Sequence, residues 1–309
     1  MTARIIISGG TGLIGSQLAQ YLLRDGNEVV ILSRKKAPAA AIDGAQYVLW
    51  DGQRLADWAE RLSGAAAVIN LAGANIAGEG IVPSRWTAKR KALLRQSRLA
   101  AGAILARAAE LASPPPAVFL QASAVGYYGT EQAGSLTEEA VPGEDFLAQL
   151  CQDWEASSNA AAALTTRHVI ARIGVVLSQN GGALPKMALP FRCFVGGRLG
   201  SGQQAFSWIH IEDAVAALRF LIEQEEACGA YNLTVPQPLS NAQFSAALAH
   251  ALRRPSWLPL PASLLKAALG EVSQTMLQGQ AVIPQRLTEA GFAFRFPDAR
   301  SALQDLYRS

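Results

Sequence analysis

The sequence predicts an α/β protein built on a doubly wound parallel sheet, completed by a smaller, mostly helical C-terminal region. Three observations carry this prediction. A glycine-rich turn follows a β-branched run at the start of the chain. Apolar strand-like runs then alternate with amphipathic helical stretches as far as Leu233. From Pro236 the alternation gives way to helical segments separated by prolines. Alternation of this kind implies right-handed crossovers and ligands at the carboxyl ends of the strands.

The elements follow in order. Ile5, Ile6 and Ile7 form the first strand, and the turn after it opens a helix over Leu13–Arg24. Gly10, Gly12 and Gly15 fit a dinucleotide fingerprint with one residue between its first two glycines, whereas Gly9, Gly12 and Gly15 fit the form with two. In either register the glycines permit a tight turn, a close approach of backbone N–H groups to a pyrophosphate, and close helix packing. Asp25-Gly26-Asn27 breaks the helix and Glu28–Leu32 reads as a buried strand. Gln46–Trp50 is a short third strand, Leu55–Leu62 a short helix, and Ala65–Leu71 an apolar run typical of a sheet covered on both faces. Arg85–Leu111 is a long helix stopped by Ser113 and three prolines. Ala117–Ala122, a helix over Phe146–Leu164, the strand Thr166–Ile173, a helix over Ile211–Gln224 and the strand Tyr231–Leu233 complete the series, and Leu177–Ser207 is read as irregular.

Composition excludes several classes. The chain has 309 residues, half of them hydrophobic, and a formal charge of +3 with both signs interspersed, which argues for a globular protein without a nucleic-acid surface. No apolar stretch approaches the roughly 20 residues that cross a bilayer. The first 24 residues run from strand to turn to helix, unlike a secretory segment, so a cytoplasmic address without a membrane partner is expected. Cys151, Cys193 and Cys228 are too far apart to suggest a disulfide framework or a zinc site, and no metal is expected.

The second strand indicates the nucleotide. An acidic residue about 20 positions after the glycine turn would accept hydrogen bonds from an adenine-ribose. Here the strand instead ends in Ser33-Arg34-Lys35-Lys36. A hydroxyl and a guanidinium fork bind a 2′-phosphate that a carboxylate would repel, so NADP(H) is expected over NAD.

With these markers in order, the chain resembles the extended short-chain dehydrogenase/reductases, the superfamily of sugar-nucleotide epimerases and dehydratases. The markers are SGGTGLIG, Asn70-Leu71-Ala72-Gly73, Ser123 with Tyr127-Tyr128-Gly129, Ala171-Arg172-Ile173-Gly174-Val175 and FSWIHIED. Ser84-Arg85-Trp86, Gln96-Ser97-Arg98, LGSGQQAFSWIHIEDAV and VIPQRLTEAGFAFRFPD resemble one branch of it, an epimerase-like family with its own C-terminal domain. The resemblance implies a Rossmann domain over residues 1–176, completed by 208–234, with 177–207 and 235–309 forming the substrate-side domain. It implies cofactor contacts from Gly9, Gly10, Thr11, Gly12, Leu13 and Ile14 in the turn, and from Ser33 and Arg34 at the 2′-phosphate. Leu71, Ala72 and Gly73 at a strand end, Arg98 from the long helix and the Val175 backbone complete the implied set.

The resemblance fails at one place. Typical members carry a Tyr-x-x-x-Lys pair on the helix after the serine segment, where the lysine helps the tyrosine to exchange a proton. Leu147 and Cys151 occupy those positions. Ser123, Tyr127 and His210 are the remaining candidates for catalysis, each with a bland alternative: a backbone cap, a lining residue and a helix cap, respectively. Asp213 reads as a helix N-terminal carboxylate. Lys186 and Arg192 fall in the irregular segment and are candidates for an acidic group, while Arg85, Trp86, Tyr127 and Trp208 suggest a polar and aromatic substrate wall. Two functions follow: an NADP(H)-binding, epimerase-like oxidoreductase acting on a small carbonyl or alcohol or a nucleotide-sugar-like substrate, or a catalytically silent NADP(H)-binding sensor. A monomer or a homodimer paired through the two long helices fits either.

Overall fold

Seven strands form one sheet in the order β7-β6-β5-β4-β1-β2-β3, with every pairing parallel. They are β1 (Arg4–Ser8), β2 (Glu28–Ser33), β3 (Gln46–Leu49), β4 (Ala67–Asn70), β5 (Val118–Ala124), β6 (Arg167–Ile173) and β7 (Gly229–Leu233). The chain moves outward from β1 to β3, then crosses back to place β4 on the other side of β1. That reversal opens a crevice at the carboxyl ends of β1 and β4, which is where such sheets bind ligands. The computed structural model describes residues 3–36, 41–78, 80, 82–132, 134–163 and 166–308.

Helices cover both faces, which is why the strands are apolar runs rather than alternating ones. Helix α1 (Leu13–Arg24) buries Leu18, Ala19 and Leu22 on one face. The opposite face is covered by α2 (Ala88–Leu111), whose Ala101, Leu105 and Ala109 pack on Ile6, Val68 and Phe119. Next along the chain come α3 (Phe146–Ala156), α4 (Leu184–Arg192) and α5 (Ile211–Glu223), the last sharing the α1 face. A third core joins α4 to α6 (Asn241–Leu252) and α8 (Ala299–Leu306) around Phe191, Trp208, Phe244 and Leu303. Between α6 and α8, helix α7 (Ala262–Leu269) buries Leu265 and Leu269 against Trp86, Leu94 and Leu150. The expected mostly helical C-terminal region is therefore present, with α7 seated on α2 and α3 and with α6 and α8 packed against α4.

Two expectations are corrected. The helix expected over Phe146–Leu164 stops at Ala156, because the Ser157 and Ser158 hydroxyls donate to the carbonyls of Trp154 and Glu155. A separate short helix spans Asn159–Ala162, and Leu164 lies outside the described residues. The segment Leu177–Ser207, expected to be irregular, contains α4, with Pro185 in the first turn where its missing N–H costs nothing. The other boundaries shift by a few residues. Helix α2, for example, starts at Ala88 rather than Arg85 because the Thr87 side chain accepts the Arg90 N–H as a cap.

Candidate functional site

The glycine turn is set by backbone contact. Gly9 has φ +71°, and a Cβ there would lie 2.6 Å from the Leu71 carbonyl carbon. A Cβ on Gly15 would lie 2.4 Å from the Gly9 carbonyl oxygen, and one on Gly10 would lie 2.8 Å from Ile31. Gly9 is thus the left-handed residue, and the register is Gly9, Gly12 and Gly15. Gly12 begins α1 without a side-chain cap, and the first turn carries no acidic residue. By contrast α2, α3 and α5 are capped by Thr87, Asp145 and His210. The α1 N-terminus therefore presents its N–H groups and the positive end of its dipole with no internal anion. Thr11 and Gly12 are exposed, while Leu13 and Ile14 are half-buried. Residues 181 and 182 lie over Leu13, with a Cβ on Gly182 placed 3.1 Å from Leu13 Cδ2.

At the end of β2 the Ser33 hydroxyl accepts the Lys35 N–H at 3.1 Å, which folds the chain so that Arg34 is exposed on the rim. The adjacent strand ends are locked by side chains. Ser8 Oγ donates to Asn70 Oδ1 at 2.6 Å, Asn70 Nδ2 donates to Gln121 Oε1 at 2.9 Å, and the Ala72 N–H donates to Asn70 Oδ1 at 3.2 Å. This buried chain fixes the exit of Leu71, Ala72 and Gly73 from β4. It was not anticipated; the only sequence signal was three polar residues ending or lining apolar strands.

Arg98 lies under that exit. Its Nη1 donates to the carbonyls of Ala74 and Leu94, and its guanidinium stacks 4.8 Å from the Trp154 ring centre. Burial lowers its pKa to about 10. The Val175 N–H is committed to the Ser207 carbonyl at 2.9 Å, so it has no free donor to offer a cofactor.

The three catalytic candidates separate. Ser123 is turned into the interior, where its hydroxyl donates to Glu155 Oε1 at 2.7 Å, so it does not face substrate. His210 is corrected as well. Its Nδ1 accepts the Glu212 N–H at the start of α5, its ring packs 4.0 Å from Phe296, and it is 1% exposed. Burial pushes its pKa down to about 4, so it is a neutral helix cap at physiological pH. Tyr127 alone is half-buried, its ring 3.4 Å from the Arg172 guanidinium. Its neighbour Tyr128 is fully buried, donating to Asn232 and accepting from Arg172.

Leu147 and Cys151 face the turn after β5, since a Cβ on Gly126 would contact Leu147 Cβ and Cys151 Sγ. Burial pushes the Cys151 thiol up to about 12, and the nearby Glu155 carboxylate adds to the rise. One turn along α3, Glu155 holds Arg172 through two hydrogen bonds of 2.9 Å. The network of Ser123, Glu155, Arg172 and Tyr128 escaped sequence reasoning because its members come from four separate elements.

The expected substrate wall is also corrected. Trp208 is fully buried in the third core, Trp86 is in the cluster beneath α7, and Arg85 Nε donates to the Ala268 carbonyl at 2.9 Å. Lys186 Nζ donates to the Gly78 carbonyl at 3.2 Å, tying α4 to the loop after β4, and Arg192 stacks on Tyr307. The Asp213 carboxylate accepts the N–H groups of Arg295 and Phe296, anchoring the C-terminal tail. Among the described residues no group of three or more His, Cys, Asp or Glu could hold a metal, and no helix is long and apolar enough to cross a membrane.

Comparison with known proteins agrees with this architecture. Residues 5–234 match the model of the NAD dependent epimerase/dehydratase family, and residues 260–306 match a domain of unknown function, DUF1731. Epimerase family protein YfhF of Bacillus subtilis is 38% identical over 303 residues, covering 98% of this chain and 97% of that protein. The SDR39U1 homolog of Arabidopsis thaliana, described as chloroplastic, is 37% identical, covering 97% of this chain and 85% of that protein. The crystal structure of human epimerase family protein SDR39U1 (isoform 2) with NADPH superposes with a TM-score of 0.88 at 34% identity, covering 99% of each chain.

Proposed function

Starting from the fact that this chain belongs to the NAD dependent epimerase/dehydratase family, we propose that it binds NADP(H) at the α1 turn and acts as an epimerase-like oxidoreductase. Its substrate class is a small carbonyl or alcohol, or a nucleotide-sugar-like molecule. The observation that carries the reading is the uncapped α1 N-terminus behind a turn in which Gly9, Gly10 and Gly15 leave no room for a Cβ, flanked by the exposed guanidinium of Arg34. The human relative crystallised with NADPH supports it.

In this reading the N–H groups of α1 hold the pyrophosphate, Ser33 and Arg34 hold the 2′-phosphate, and the Leu71-Ala72 backbone runs beside the adenosine half. When bound, the nicotinamide supplies the hydride chemistry. Tyr127 orients the substrate, its ring held in place by Arg172. The proposal carries a cytoplasmic address, and either a monomer or a homodimer paired through α2 and α3.

A second reading, a cofactor-binding sensor without turnover, is favoured by Leu147 and Cys151 in place of a proton-transfer pair and by the inward-facing Ser123 hydroxyl. One titration tests both. Wild type and Arg34→Ala are titrated with NADPH and NADH by nicotinamide fluorescence, and a panel of carbonyl compounds is then added. Loss of the charge-assisted contacts is expected to weaken NADPH about tenfold to a hundredfold and to spare NADH. Oxidation of bound NADPH by a panel compound supports the enzyme over the sensor. A wild type that fails to bind NADPH overturns both.

A further inference from the structure

Two packed helices, α4 and α6, end in the same strained way. Phe194 follows α4 and Arg253 follows α6, with φ +62° and +54°, and among the described residues no other non-glycine residue has a positive φ. In each case the next N–H reaches back across the last turn, Val195 to the Pro190 carbonyl and Arg254 to the Ala249 carbonyl, both at 2.9 Å. Such a termination ordinarily takes glycine at the turning residue, because a side chain is disfavoured there. A fold that keeps a phenylalanine and an arginine at these two places has a use for their side chains, and both are exposed.

The loop after α6 completes one surface with them. Trp257 Nε1 donates to the Phe194 carbonyl at 3.0 Å, and the N–H groups of Trp257 and Leu258 donate to the Gly196 carbonyl at 3.2 Å. The Arg254 guanidinium lies 4.7 Å from the Phe194 ring centre. Trp257 is 66% exposed, Phe194 54%, Val195 50% and Leu258 44%, so four large apolar side chains stand in solvent together beside Arg192, Arg253 and Arg254. Large apolar groups clustered outside the core mark a contact surface.

Charge says what that surface meets. The chain carries 24 acidic residues, yet none falls in 156–211 or 227–270, the stretches that build the patch. Among the described residues no carboxylate pairs with Arg192, Arg253 or Arg254. A second copy of this chain seated here would set arginine against arginine. The Trp257 ring N–H and the backbone N–H groups around it are already committed inside, so the patch offers carbon and guanidinium, whereas a protein interface typically adds about one hydrogen bond per 100–200 Å². Aromatic rings at headgroup depth with arginines among anionic phosphates match what is offered.

We infer that the paired ends of α4 and α6 dock on an anionic lipid surface, with Phe194 and Trp257 entering the headgroup layer and Arg192, Arg253 and Arg254 meeting lipid phosphates. Peripheral docking needs no spanning segment. The expectation of no membrane partner, which rested on the lack of such a segment, therefore gives way at this surface.

The test uses the full chain with vesicles of phosphatidylcholine alone or with phosphatidylglycerol added. Trp257 is the one exposed residue among six tryptophans, so its emission reports the contact. Wild type is expected to sediment with the anionic vesicles and not with the neutral ones, to shift its emission to the blue, and to be released at high ionic strength. Phe194→Gly and Arg253→Gly relieve the positive φ, so each should melt no lower than wild type while binding anionic vesicles about fivefold to tenfold more weakly. Wild type that ignores anionic vesicles overturns the inference, as does equal binding to both vesicle types or undiminished binding by both variants. Capture by polyglutamate without vesicle binding overturns it in favour of an acidic protein partner, and a dimer that Phe194→Gly dissociates, again without vesicle binding, overturns it in favour of a second copy.

Discussion

Arg172 and Glu155 form a two-pronged ion pair inside the protein, Nε to Oε1 and Nη2 to Oε2, each at 2.9 Å. The pair fastens β6 to α3 and shares its atoms with two neighbours, since Ser123 donates to Glu155 and Arg172 donates to Tyr128.

Removing one partner leaves the other charge stranded. Glu155→Ala is expected to cost about 3–5 kcal/mol of stability, whereas Arg172→Met combined with Glu155→Leu costs much less because no uncompensated charge remains. Denaturant unfolding of the three proteins checks this. A single substitution costing under about 1 kcal/mol would show that solvent reaches the pair and screens it.

The glycine turn separates folding from binding. A methyl group on Gly15 meets the Gly9 carbonyl oxygen at 2.4 Å and Gly10 Cα at 2.8 Å, so Gly15→Ala must displace the turn. It is expected to lower stability by about 1–3 kcal/mol along with NADPH affinity. Gly12 is exposed and a methyl there meets only the Gly9 carbonyl oxygen, at 3.2 Å. Gly12→Ala is therefore expected to keep the melting temperature while losing NADPH affinity; equal melting losses in both variants would contradict this division.

His210 makes the fold sensitive to acid. Burial lowers its pKa from 6.5 to about 4, with Asp305 opposing the shift and Arg295 reinforcing it. Below pH 6.5 the unfolded chain takes up a proton that the folded one refuses, so stability falls as pH drops from about 6.5 to about 4, by roughly 3 kcal/mol from this group. His168, whose pKa burial also lowers, acts in the same direction. His210→Asn can still cap α5 and should flatten the pH dependence of unfolding free energy across that window. An unchanged slope would assign the acid sensitivity elsewhere.

Much of the fold was legible because its signals are local. The Ile5–Ile7 run, the glycines after it and the prolines after α2 each constrain neighbouring backbone, and the structure matches them within a few residues. The helix expected through Leu164 shows the limit: alanines continued the helical pattern, while the Ser157 and Ser158 hydroxyls took the carbonyls that would have extended it. In the candidate site the same division holds. The glycine turn and Arg34 at the end of β2 were readable, whereas the choice between the turn's two registers, and between a catalytic and a structural role for Ser123 and His210, was decided by the backbone at Gly9 and by the partners Glu155 and the Glu212 N–H.

The sequence by itself determined the parallel α/β sheet, the position of the phosphate-binding turn and the absence of a Tyr-x-x-x-Lys pair, because periodicity, φ preference and residue chemistry are written in contiguous stretches. Only the tertiary structure decided which polar side chains are already committed. Ser123 meets Glu155, Asp213 meets the Arg295 and Phe296 backbone, and Arg98 meets the Ala74 and Leu94 carbonyls and an indole face. Such partners come from elements distant along the chain. Whether a buried polar group is satisfied or left for a ligand is settled by what packing brings within about 3 Å of it.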